Sequence, residues 1–318
     1  MKTFDEIYEE LQSGDNNELN NLWKDAKNKS EKANKTALTI CLIIDILAII
    51  LFFSIGIKVS SIFAIIPLLI PVLVINLFVY IIVNIIFSGK ETIKYHQKYK
   101  SVVINKLMNN FYDNLEYFPN KEMPEYIYEK LQYEHYDIYE SEDYMEGQIN
   151  NKYSIQMAEI ETKEEEEYKD SDGETQTREI TKFHGLFAKI GMDKSINSEL
   201  KIGQNGSFAF AKSLKMDSSE FEKYFDVQAS NQIIGMQLLT ADVMEELIDF
   251  VNKTNMEFDI YIKENELYLR FHSGDMFEPA NLKKGALDKD LIQKYFYMLN
   301  FTYNLSNRLI KLVNETEL

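Results

Sequence analysis

The sequence predicts an α+β protein. It reads as an N-terminal transmembrane helical hairpin, a cytoplasmic helical connector and an α+β domain with antiparallel strands. Three observations carry this. From Ala37 to Phe87 the only charged residues are Asp45 and Lys58. Helical periodicity precedes and follows that stretch. From about residue 143 the apolar period shortens to the alternation of strands. The expected organisation is 1–36, polar and amphipathic helices; 37–88, the hairpin, with spans at about 37–57 and 62–87; 89–142, the connector; and 143–318, the cytoplasmic domain.

At the start, "FDEIYEELQ" places Phe4, Ile7, Tyr8 and Leu11 on one helical face, and "DNNELNNLWKDAK" does the same with Leu19, Leu22, Trp23 and Ala26. Trp23 suits either a membrane interface or packing on soluble protein. Residues 37–57 then make a helix of about 31 Å, the thickness of a bilayer core. The second run, "SIFAIIPLLIPVLVINLFVYIIVNIIF", has Pro67 and Pro71 near its beginning, where an opening turn or kink tolerates them. Two such runs in succession fit neither a soluble core nor a cleaved leader.

Lysines set the expected orientation. Lys24, Lys27, Lys29, Lys32 and Lys35 precede the first span, and Lys90, Lys94, Lys98, Lys100 and Lys106 follow the second; only Lys58 lies between them. The positive-inside bias puts both termini in the cytoplasm and the turn near Gly56–Ser61 outside, so the expected location is the cell (inner) membrane, multi-pass.

Asp45 is the chemical oddity of the spans. It lies about 12 Å from the cytoplasmic end of its helix. On the returning helix Asn76, Tyr80 and Asn84, spaced i, i+4, i+8, form one polar stripe. The expected depth of Asp45 falls between Tyr80 and Asn76, which predicts interhelical polar contacts or self-association through the hairpin. An ion pathway is the sharper alternative, and two helices with one acid enclose none unaided.

After the hairpin, "ETIKYHQKYKSVVINKLMNNFYDNL" reads as a helix leaving the membrane, and "PEYIYEKLQ" as a short helix opened by Pro124. "INNKYSIQMAEIETK" alternates through Tyr153, Ile155 and Met157, with Ile160 a further inward candidate; "KEEEEYKDSDGET" reads as a solvated hairpin loop. "TREITKFHGLFAKIGM" resumes strand character, and "FDVQAS" and "IIGMQLLT" are short strand candidates. "ADVMEELIDFVNKT" is an amphipathic helix with Thr240 as N-cap. "EFDIYIKENELYLRF" reads as a hairpin turning near Glu264-Asn265, and a long helix closes the chain at about 287–313.

The soluble body is acidic: residues 107–318 carry 22 Lys+Arg against 41 Asp+Glu, a net −19. Such a surface repels phosphate backbones, so nucleic acid is not an expected partner. The one cysteine, Cys41, lies in the first span, which rules out an intrachain disulfide.

Four stretches, "EDYMEGQI" (142–149), "KFHGLFAKIGMDKS" (182–195), "SEFEKYFDVQASNQIIGMQLLTADVMEEL" (219–247) and "LYLRFHSGDMFEP" (267–279), resemble a bacterial membrane family known as domain of unknown function 3137. The resemblance covers nearly the whole chain. It implies two N-terminal spans, a helical connector and a cytoplasmic α+β domain, and a LemA-type membrane protein as a possible neighbour. It implies no catalytic residues. The chain departs from the family pattern at Met192-Asp193-Lys194 and at Ala241, where Phe-Asn-Lys and proline are usual.

The residues suggest little chemistry by themselves. His96, His135, His184 and His272 are scattered, with no His-Glu-x-x-His pair, phosphate loop or nucleophile elbow. Phe183, Leu186 and Phe187 read as core, and Gly185 as a close-approach or bulge position. His272, Asp275 and Glu278 form a conceivable metal triad, although a loop closing with Phe277 in the core is the plainer reading. No cofactor is expected. The sequence therefore predicts an integral membrane protein acting as a membrane-tethered interaction or scaffold module, with the bilayer and a protein as partners. The alternative is a membrane-anchored metal-dependent hydrolase using carboxylates near 272–278.

Overall fold

Apolar side chains at Phe4, Ile7 and Leu11 are buried on one face of the first helix, α1 (Phe4–Ser13), as their spacing requires. The structure, a computed structural model, describes residues 1–14, 17–54, 66–204 and 214–315. The expected turn near Gly56–Ser61, with Lys58, lies outside the described residues.

The chain divides into two compact units, Met1–Ile7 with Val103–Glu278 and Ile292–Leu318, and Tyr8–Val102 with Pro279–Leu291. Two long helices dominate the second: α2 (Asn17–Ser54) and α3 (Ile66–Tyr99). Each runs without a break through the point where polar sequence gives way to apolar. Continuity follows from composition, because no proline or glycine interrupts 17–54. Ala26, Ala33 and Ala37 are fully buried and share one face of α2, and such small side chains let helix backbones approach closely. Many other apolar side chains point outward: Leu42, Leu47 and Ile50 on α2, and Leu73, Phe78, Ile85 and Ile86 on α3, are all more than half exposed. Trp23 donates its indole N–H to the Leu282 carbonyl at 3.0 Å, and Tyr95 its hydroxyl to the Ala286 carbonyl at 3.1 Å.

Past α3 the backbone widens into a π-helical turn (Lys100–Ile104) and a last helical turn, α4 (Asn105–Met108). The helical connector expected over 89–142 stops there. Residues 113–118 form strand β1 (Asp113–Phe118), and after α5 (Glu125–Glu129) strand β2 (Ile138–Ile149) begins before 143. The aromatic residues of this segment serve a sheet, a choice that pairing partners distant in sequence decide.

The sheet is antiparallel throughout. Strands β3 (Tyr153–Lys169), β4 (Thr175–Gln204) and β5 (Phe225–Ala229) extend it in the order β1-β2-β3-β4-β5, and β6 (Phe258–Phe271) also pairs with β4. Three sequence expectations change here. The acidic run is strand rather than loop: Glu164–Glu167 pair with 177–180, and the turn is confined to residues near Gly173. Cross-strand pairs Lys182–Glu164 and Arg178–Glu166 offset part of the repulsion among the acids. Residues 258–271 do not fold back as a hairpin. They form one strand whose two halves pair with Ile196–Ile202 and Leu186–Gly191 of β4. The change of parity read as a turn is a bulge, with Glu264 at φ +55°. "IIGMQLLT" is helix α6 (Gln232–Leu238), because the Asn231 side chain caps it by accepting from the amides of Ile233 and Ile234.

Helices α7 (Ala241–Thr254), capped by Thr240 as expected, and α8 (Lys289–Glu315) complete the order. Phe250 of α7 and Phe301 of α8 stack at 3.9 Å between centroids and both meet Phe258 and Phe271 of β6. The opposite face of the sheet carries a second core of Tyr128, Ala158, Ile160, Phe183, Phe187, Tyr261 and Tyr268. The fold class is α+β with two long apolar N-terminal helices.

Candidate functional site

Strand alternation puts Met157, Glu159 and Glu161 on one face of β3. Met157 is fully buried and Glu159 nearly so, which places a carboxylate where the pattern calls for an apolar side chain. Its neighbours in register are Glu142 on β2 and Leu186 on β4, and His184 stands opposite Glu161. A register shift in β2 follows Glu142, where Asp143 adopts φ +55° and is completely buried, its carboxylate accepting from the Tyr117 hydroxyl.

The loop after β6 closes the site, and Gly185 makes its approach possible. A Cβ on Gly185 would lie 1.9 Å from the Phe271 carbonyl oxygen and 2.6 Å from the Ser273 nitrogen. With none there, the Leu186 amide donates to Ser273 Oγ at 3.2 Å and the Gly274 amide to the His184 carbonyl at 3.2 Å. The Met276 amide donates to Glu159 Oε2 at 2.8 Å. Asp275 is thereby held with its Oδ1 3.0 Å from His184 Nε2, and Glu159 Oε1 lies 3.8 Å from the same nitrogen. The resulting cleft, about 350 Å³, is lined by six carboxylates, Ser141 and His184, and among the described residues no lysine or arginine stands in its walls. Burial raises Glu159 to about 8; the Met276 amide opposes the shift, while the charges of Asp143, Glu142 and Asp275 add to it.

The triad conceived from sequence, His272, Asp275 and Glu278, is not brought together. His272 turns to Asp259, with 3.1 Å between Nε2 and Oδ2, and packs edge-on against Phe183. Glu278 offers its backbone carbonyl to the Tyr295 hydroxyl at 2.9 Å. Asp275 joins His184 and Glu159 instead, and among the described residues these three form one of two sets whose ligand atoms all lie within 4.8 Å. The other is Glu142, Asp143 and Glu159. Sequence reasoning passed over Glu159, and the signal for it was its place in an inward series, Tyr153, Ile155, Met157, where an acid is out of pattern.

Between the long helices, Asn76 Nδ2 donates to Asp45 Oδ1 at 2.8 Å. Cys41 Sγ lies 3.6 Å from the Asn76 carbonyl. Tyr80 reaches Asn34 at 2.7 Å, and Asn84 bonds to the Tyr80 carbonyl of its own helix at 2.9 Å. Of the expected stripe, then, Asn76 is the residue hydrogen-bonded to Asp45.

Residues 181–311 match the family described as Protein of unknown function (DUF3137). That segment holds His184, Gly185 and Asp275 and leaves out Glu159, so the match is narrower than the resemblance over nearly the whole chain. No curated protein matches the chain. Among solved structures, the crystal structure of the mycobacterial trehalose monomycolate transport factor A, TtfA, is similar over 67% of this chain and 94% of that one, with 8% identity and a TM-score of 0.32. A likeness that distant carries no argument about activity.

Proposed function

We propose that this chain of the DUF3137 family is a multi-pass membrane protein whose α+β body acts as a tethered interaction module at the cytoplasmic face. The observation that carries the reading is the outward direction of Leu42, Leu47 and Ile50 on α2 and of Leu73, Ile85 and Ile86 on α3, more than half exposed along two helices long and apolar enough to cross a bilayer. Water would charge about 25 cal/mol for each Å² of that apolar surface, whereas hydrocarbon accepts it. The lysines flanking both helices support cytoplasmic termini. The net −19 of residues 107–318 supports a protein partner with a basic surface over nucleic acid or anionic lipid. The Asp45–Asn76 contact supports a hairpin that holds its register in lipid and can meet a second copy.

Alkaline extraction of native membranes tests the anchor: the protein is expected to stay with the vesicles, and its release into the supernatant would refute the reading. Protease treatment of right-side-out cells tests orientation, with residues 89–318 expected to be protected. Proximity labelling from the C-terminus is expected to mark the same cytoplasmic or membrane protein in replicate experiments.

A further inference from the structure

We propose that the cleft between β3, β4 and the loop after β6 binds a divalent transition-metal ion, of the Mn²⁺ or Zn²⁺ kind, through Glu159 Oε1, His184 Nε2 and Asp275 Oδ1. The three atoms come from parts of the chain far apart in sequence and lie within 4.8 Å of one another, with 3.0 and 3.8 Å separating the nitrogen from the two oxygens. Bonds of about 2.0–2.2 Å to one ion need ligand atoms roughly 3–3.5 Å apart, so small side-chain shifts close the set.

Two further observations separate this cleft from an ordinary patch of surface acids. The Glu159 side chain is only 5% exposed, and its two oxygens have different roles. Oε2 is fixed by the Met276 amide, while Oε1 lies 3.8 Å from His184 Nε2, in a residue that lines the cleft. A carboxylate whose one oxygen is held by a backbone amide has its other oxygen oriented, which is how an outer contact positions a metal ligand. The charge is also unbalanced. Lys163 serves Glu140 and Glu161 and does not line the cleft, and among the described residues no lysine or arginine forms an ion pair with Glu159.

The donor set indicates the kind of ion. An imidazole nitrogen with carboxylate oxygens suits first-row transition ions better than Ca²⁺ or Mg²⁺, which prefer oxygen throughout. Glu159 also belongs to a second set, with Glu142 and Asp143. The proposal is independent of the membrane reading.

The test uses the full-length protein in detergent, stripped with a chelator and then titrated with MnCl₂, with bound ion followed by electron paramagnetic resonance and calorimetry. One Mn²⁺ per chain is expected, displaced by ZnCl₂. Asp275→Asn, at a side chain 74% exposed, is expected to weaken binding by at least about tenfold, and His184→Ala further. No binding of either ion at millimolar concentration would overturn the proposal. So would unchanged affinity in Asp275→Asn with an unaltered circular dichroism spectrum.

Discussion

The carbonyl oxygen of Phe271 occupies the space where Gly185 would carry a Cβ, 1.9 Å from the ideal position of that atom. The contact pins the end of β6 onto β4 and sets the path of the loop that brings Asp275 to His184.

Gly185→Ala is therefore expected to push the two backbones apart. The two nearest atoms, the Phe271 carbonyl oxygen and the Ser273 nitrogen, belong to the backbone, and the expected loss is about 1–3 kcal/mol in urea unfolding of the detergent-solubilised chain. The same substitution is expected to weaken Mn²⁺ binding, because Asp275 moves with the loop. A variant as stable as the parent would mean that the strands adjust freely there.

Asp45→Leu removes the acceptor of the Asn76 amide between α2 and α3. A cost of about 0.6–2 kcal/mol is expected, seen as weaker crosslinking between cysteines placed on the facing helices. Adding Asn76→Leu takes away the stranded donor, so the double variant is expected to recover most of the loss. Equal crosslinking in all three proteins would remove any packing role for Asp45.

Arg270 is buried on the second core face, 3.4 Å from Asp259, in a salt bridge with Glu134, and 4.2 Å from the ring centroid of Tyr133. Arg270→Ala leaves two carboxylates without their cation inside a core of aromatic rings. The expected loss is about 3–5 kcal/mol by thermal or urea unfolding. Arg270→Lys, which keeps the charge and loses the planar fork, is expected to fall between.

Glu246 on α7 faces Arg308 of α8 at 3.1 Å, and burial raises its carboxyl above the ordinary range despite that partner. An acid raised in the folded state adds stability below the ordinary carboxylate range and loses it as pH climbs through the folded value. Arg308→Met is expected to raise Glu246 further and to steepen the fall in stability above pH 4.5. Glu246→Gln is expected to flatten it. Identical pH–stability curves for the parent and Glu246→Gln would show that this carboxyl does not contribute.

Helices declared themselves in sequence where period, cap and composition agreed, as in α1, α7 with Thr240, and α8. The strands were legible as strands, but their partners were not. Residues 258–271 show why: a bulge and a tight turn both invert the alternation, and only β4 lying alongside both halves distinguishes them. Residues 113–118 gave no alternation strong enough to outweigh the helix before them, and β2 decides their conformation. The cleft was hidden for the same reason. Asp275 was singled out and His184 noticed, but their meeting depends on Gly185 accepting a foreign backbone, which spacing along the chain does not encode.

β4 borders β3 along one side, and β5 and β6 take its later residues. On the ribosome the β3–β4 ribbon can close as soon as residue 190 emerges, while the end of β6 arrives roughly 80 residues later, some seconds at about 5–20 residues per second. Through that interval a strand edge rich in unpaired amides stands open to any neighbouring nascent chain. Copies made side by side from one message would face that hazard together, which makes the stretch of translation between β4 and β6 the point where a chaperone has most to protect.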